Sequence, residues 1–118
     1  MRMQTLAASA IVAGLAAFPP LPANAASYCF ENLGNTGCPW KETFKKSELR
    51  QLSCQNLWYV RNSIYDRRGY CFKTADGKAV FDNSDCWVKN AANIKFNNHE
   101  QTNISRIRQI EDNRGCTP

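Results

Sequence analysis

The stretch SCQNLWYVRNSIYDRRGYCF, Ser53 to Phe72, decides the fold. Leu57, Val60, Arg61 and Ile64 recur at intervals of three and four, which puts them on one face of a helix. Ser53 offers a hydroxyl to the free N–H groups at its start, and Gly69 can take the left-handed conformation that ends it. The rest of the chain reads as cover for this helix, with cysteines near both of its ends.

Upstream, Phe44, Glu48, Leu49 and Leu52 follow helical spacing, which predicts a short helix from about Lys45 to Leu52. Downstream, Asp76-Gly77 is a turn signal that either opens a hairpin or interrupts a short helix, and the sequence leaves both open. Asn83-Ser84-Asp85 is a further turn, after which Cys86-Trp87-Val88 is expected to fold back onto the core. Near the C-terminus, Asn97 and Glu100 form a capping-box pattern. Ile104, Ile107 and Ile110 supply a buried stripe, Arg106, Arg108 and Glu111 are assigned to the wet side, and Gly115 ends the helix. The expected fold class is mainly α: a small three-helix, disulfide-stapled domain with room for a minor β-hairpin.

The chain has 118 residues. Residues 1–25 read as a signal peptide: Arg2 gives the positive start, Leu6 to Phe18 the apolar run, and Ala23-Asn24-Ala25 the cleavage pattern after Ala25. That run is shorter than the roughly twenty residues a membrane span needs, so no transmembrane anchor is expected after cleavage. Residues 26–43 read as an N-terminal loop, and 44–118 as the helical domain. Removing Arg2 from fifteen Lys and Arg leaves fourteen against ten Asp and Glu, a charge of +4. Such a balance favours anionic partners, and the scattered lysines and arginines also suit an ordinary solvated surface. No nucleic-acid partner is expected.

Cys29, Cys38, Cys54, Cys71, Cys86 and Cys116 all lie beyond the signal. An even count in a small exported chain reads as three disulfides. Spacing alone selects no pairing; the preferred set is Cys29–Cys38 and Cys71–Cys86 as local rings and Cys54–Cys116 between the first and last long helices, whose bridged ends suit roughly parallel or crossing packing. No C-x-x-C or paired His supports a zinc site, and no metal or cofactor is expected.

At Tyr65-Asp66-Arg67-Arg68-Gly69 the sequence resembles the YARHG domain, a bacterial extracytoplasmic module. Leu52-Ser53, Leu57, Arg61-Asn62, Ile64-Tyr65, Arg67, Gly69 and Phe72 follow the family's pattern. The segment SELRQLS is similar to its leader helix, Trp87 to its later aromatic position, and Thr102 to Glu111 to its closing helix. Asp66 stands where the family has Ala, Arg68 where it has His, and the middle segment lacks a clear Tyr-Trp pair. With cysteines 54, 71, 86 and 116, the wording is similar to a small cysteine-rich proteobacterial subgroup. The resemblance implies a periplasmic or secreted protein and implies no enzymatic activity.

Two readings of the motif follow. In the plainer one, Arg61 and Asn62 donate to loop carbonyls and pin the Cys71 to Trp87 segment over the helix, since a buried guanidinium needs partners; Tyr65 and Gly69 complete this structural set. In the functional one, Tyr65, Arg67 and Arg68 form an anion- or sugar-binding patch for an envelope polymer such as peptidoglycan. A second function class is a secreted inhibitor or effector that binds another protein, with Trp40, Trp58 or Trp87 as anchors; Trp58 joins the candidate binding residues. A third is a small hydrolase using Asp66 or His99. His99 is the one histidine and reads as a surface residue, and Asp66 has no evident carboxylate partner. Asn103-Ile104-Ser105 spells a glycosylation acceptor, read as a chance match.

Overall fold

The structure is a computed structural model and describes residues 28–117. Residues 1–25, read from the sequence as a signal peptide, and the cleavage site expected after Ala25 lie outside the described residues. Four helices follow in order: α1 (Lys46–Leu49), α2 (Cys54–Arg67), α3 (Ala75–Val80) and α4 (Asn98–Arg114), with a 3-10 turn at Ala91–Asn93. The architecture is mainly helical, as the apolar periodicities predict.

The long helices start and stop where their end chemistry dictates. Ser53 Oγ accepts from the Asn56 N–H at 3.1 Å to open α2, and Gly69 follows it with φ +87°. Asn97 and Glu100 complete the capping box of α4: the Glu100 N–H donates to Asn97 Oδ1 at 2.9 Å and the Asn97 N–H donates to Glu100 Oε1 at 2.8 Å. Gly115, at φ +77°, ends α4 in the left-handed conformation.

The two long helices run antiparallel. Three links show it, because their order reverses between the helices: Cys54 is bridged to Cys116, Arg61 pairs with Glu111, and Arg68 pairs with Glu100. This corrects the parallel arrangement read from the cysteines. Between the helices lie Leu57, Val60, Ile107 and Ile110, joined by Phe44 and Leu49 from the α1 region and Leu33 from the N-terminal loop. That loop therefore shares the core. The Cys54–Cys116 bridge spans 62 residues and on the chain-entropy estimate stabilises the fold by about 4 kcal/mol. Cys29–Cys38 and Cys71–Cys86 close the two local rings.

The segment around Asp76-Gly77 forms α3. Thr74 Oγ1 accepts from the Gly77 N–H at 3.1 Å, capping a helix of a turn and a half. Glycine is required there by space, since a Cβ would stand 2.8 Å from the Phe72 ring. The hairpin allowed for in this region reduces to one isolated parallel bridge, Tyr70 with Val88. Asn83 fixes the loop after α3 by exchanging two hydrogen bonds with the Phe72 backbone, at 3.0 and 2.8 Å. A run of ring contacts, Tyr59–Phe81–Phe72–Tyr70–Tyr65–Phe96, laces this region to α2, with centroids 4.7 to 5.7 Å apart. Such pairs add stability beyond their buried area.

Candidate functional site

The site grows out of the last turn of α2. Successive residues of a helix point about 100° apart, so Tyr65 to Arg68 fan outward to different neighbours. Arg68 reaches α4, where its Nη2 lies 2.6 Å from Glu100 Oε1 and its Nε lies 2.9 Å from Oε2. Glu100 holds the Arg68 proton more firmly than usual. Arg67 lies over the Trp40 ring, 3.7 Å from its centroid, and its Nη1 is 3.6 Å from Glu100 Oε2. Glu100, whose side chain is 1 % exposed, therefore caps α4 and receives both motif arginines.

Tyr65 sits edge-on between Tyr70 and Phe96, and its hydroxyl accepts from Arg108 at 3.3 Å. Asp66 turns towards the N-terminal loop, where the Tyr28 hydroxyl donates to its Oδ2 at 2.7 Å. Burial raises the Asp66 carboxyl above its usual range and the charges of Asp85 and Asp82 add to this, while the Tyr28 bond acts in the opposite direction. Burial and the same hydrogen bond push the Tyr28 phenol up to about 12.

Beside this turn opens a recess of about 290 Å³. Asp66, Arg67 and Gly69 contribute from the motif, Tyr28 from the N-terminal loop, and Tyr70, Asp82, Asp85, Cys86 and Trp87 from the chain that follows. Trp87 forms the rim and is 70 % exposed. Its backbone folds back as expected, since the Trp87 and Val88 N–H groups both donate to Gly69 O at 2.9 Å, but its ring stays out of the core. Gly69 is the platform for the indole: a Cβ there would stand 2.4 Å from the ring.

A family model of the YARHG domain matches residues 39–112. The chain belongs to the YARHG domain family. No curated protein and no solved structure matches it. Within this YARHG domain the two departures from the family's motif meet different partners: Arg68 grips Glu100, and Asp66 accepts from Tyr28 and lines the recess.

Of the sequence-predicted binding residues, Arg67 lines the recess. Arg68 is brought beside it but faces Glu100. Tyr65 is occupied by its ring contacts, and Trp58 lies against Phe81 with centroids 5.9 Å apart. Neither lines the recess. Arg61 and Asn62 do not hold the loop as the plainer reading has it. Arg61 forms a two-pronged pair with Glu111, at 2.8 and 3.1 Å, and Asn62 donates to Trp58 O one turn back in its own helix. Glu111 is thus buried and not on the wet side. A guanidinium on a buried helix face requires such a partner.

His99 is exposed and its Nδ1 lies 2.8 Å from the Thr43 hydroxyl. Asn103 is fully buried: it accepts from the Phe44 N–H and donates to Pro39 O and Glu42 O. That use of both its donors makes it unavailable for glycosylation in the folded chain.

The recess residues that the sequence reading does not place at a site are Tyr28, Tyr70, Asp82 and Asp85; it gives Trp87 only as a protein anchor and a family position. Their signal is weak, because loop residues without a period bring them together.

Proposed function

We propose that this YARHG domain is a non-enzymatic, exported bacterial binding module that engages a cell-envelope component such as peptidoglycan. The observation that carries the reading is the contrast inside the motif. Arg61 and Arg68 are gripped by buried carboxylates at 2.8 and 2.6 Å, whereas Arg67, at a longer 3.6 Å from Glu100, and the exposed Trp87 still line an open recess. A fixed aromatic beside a guanidinium and carboxylates suits a polymer that carries sugars and charged peptides. Three disulfides fit an oxidising compartment, the N-terminal segment has the pattern of a signal peptide, and the net positive charge favours an anionic polymer. No helix among the described residues is long and apolar enough to cross a membrane.

The hydrolase reading has Asp66 in its favour, with a raised carboxyl in a recess that holds two further acids. Against it, Asp66 accepts from Tyr28, and Asp82 is exposed and lowered by the Ser84 N–H and hydroxyl. Asp82 is therefore not poised as a proton donor. The exposed Trp87 also supports binding to a protein, as an inhibitor or effector.

The test is a pull-down of the oxidised mature chain on purified peptidoglycan at low and high salt. Retention is expected to fall with salt and to drop in Arg67→Ala and Trp87→Ala, neither of which breaks the Arg68–Glu100 pair. No retention at low salt would overturn the envelope reading and direct attention to a protein partner.

A further inference from the structure

The recess is more negative than the chain as a whole. Asp66, Asp82 and Asp85 border it, and none of them forms an ion pair among the described residues. The one cation on its wall, Arg67, is already shared with Glu100 and stacked on Trp40. The three carboxylates do not converge on one point: among the described residues no three acidic, His or Cys side chains are placed to hold a metal ion. They surround a space instead, and its other walls are aromatic, Tyr28, Tyr70 and Trp87.

Trp87 is a preorganised wall. Two backbone hydrogen bonds to Gly69 O hold its segment, Cys71–Cys86 anchors the residue before it, and the indole rests on a glycine with no room for a Cβ. A ring held this way and still 70 % exposed offers its face to a ligand at little ordering cost.

We infer that the recess binds a primary ammonium group on a flexible aliphatic stem, such as a lysine-like side chain of a peptide. The aromatic faces attract a cation, the stem can lie along the indole, and an ammonium can donate to one of the carboxylates while the others add to the negative potential of the recess. Arg67, at the edge, suits a carboxylate on the same ligand. The inference rests on the proposal that the Trp87 face is the ligand-binding face, and it names the chemical group that face recognises.

The test uses the oxidised mature chain, labelled with 15N, and two probes of equal length, Nα-acetyl-lysine methylamide and Nα-acetyl-norleucine methylamide. The Trp87 indole N–H signal is followed at low salt. The lysine compound is expected to shift it saturably in the millimolar range, and the norleucine compound is not. In Asp82→Asn/Asp85→Asn, which changes only exposed groups, affinity is expected to fall roughly tenfold. No saturation with the lysine compound, an equal response to norleucine, or an unchanged affinity in the double variant would each overturn the inference. Saturation without peptidoglycan retention would uphold the ammonium site and sink the envelope reading. Retention without saturation would do the reverse.

Discussion

Two faces of the α2 region both carry charged residues and treat them in opposite ways. On the face towards α4, Arg61 and Arg68 each meet a carboxylate that the chain supplies, and both acids are nearly sealed from water, with Glu111 at 8 % and Glu100 at 1 % side-chain exposure. On the face towards the N-terminal loop, Asp66 meets a neutral phenol and two further acids, and the space between them stays open. The first face is closed by intramolecular pairing and its charges act as structure. The second leaves its charge uncompensated. That asymmetry is the ground on which the second face is proposed to take a ligand.

The comparison predicts its largest effect at Glu111. Glu111→Ala leaves the Arg61 guanidinium buried without a counter-charge, and urea unfolding is expected to show a loss of about 3–5 kcal/mol. Replacing both members, Arg61→Met with Glu111→Leu, is expected to recover most of that loss, because no charge then remains to be desolvated. If the double variant were as unstable as the single one, the pair would be holding the helices by geometry more than by compensation, and the closed face would have been misjudged.

A smaller effect is expected at the joint between the two faces. Gly69→Val forces a branched side chain into a left-handed backbone and into the indole, at a cost of about 1–3 kcal/mol. Helical circular dichroism should persist, while the Trp87 indole signal moves as the ring is displaced. A variant of wild-type stability with Trp87 unmoved would show that the recess does not depend on this glycine.

Glu42 offers a third kind of carboxylate, one satisfied at the surface. The Thr36 hydroxyl and the N–H groups of Asn35, Thr36 and Gly37 hold it down to about 2, from an ordinary 4.5. A depressed folded-state value means that its stabilisation is present above pH 4.5 and is lost as the pH falls towards 2. Glu42→Gln should therefore flatten the acid limb of a plot of Tm against pH, with a difference from wild type that shrinks as the pH drops. An unchanged acid limb would mean that the loop does not depend on this carboxylate.

Much of the closed face was legible in the sequence, and the open face was not. Helix ends have local signatures, so Ser53, Gly69, the Asn97–Glu100 box and Gly115 could be read directly. The stripe of Ile104, Ile107 and Ile110 was also readable, but its continuation was misassigned because Glu111 is charged. The period that buries Ile107 also buries the residue four further on, and Arg61 on the buried face of α2 required an acid opposite it. Glu100 was recognised as a cap, and its second role depends on the antiparallel register, which no single-helix pattern contains. Tyr28, Asp82, Asp85 and Trp87 meet through two disulfide-closed loops and a glycine platform. Irregular backbone has no period, so their meeting follows from tertiary contacts alone. Leu33 was lost in the same way, as a core residue inside a loop.

The smallest expected effect is at Asp66, and it tests the contrast between the faces most directly. The folded state raises the Asp66 carboxyl above its ordinary 3.8, chiefly by burial. A raised value means that Asp66 favours the folded chain only where it is protonated; that contribution is full below pH 3.8 and is lost as the pH rises through the folded-state value. At neutral pH the ionised carboxylate therefore opposes folding, modestly, because solvent still reaches it. Asp66→Asn removes the charge and keeps an oxygen that can accept from Tyr28. Its stability should match or exceed that of wild type by on the order of 0.5 kcal/mol at neutral pH, with the gap closing in acid, while the affinity for the lysine compound falls. A carboxylate that the fold is better without, and the ligand is worse without, belongs to the ligand. A clear destabilisation at neutral pH would instead place the Asp66–Tyr28 contact with the Arg61–Glu111 pair, as structure, and the two faces would no longer differ in kind.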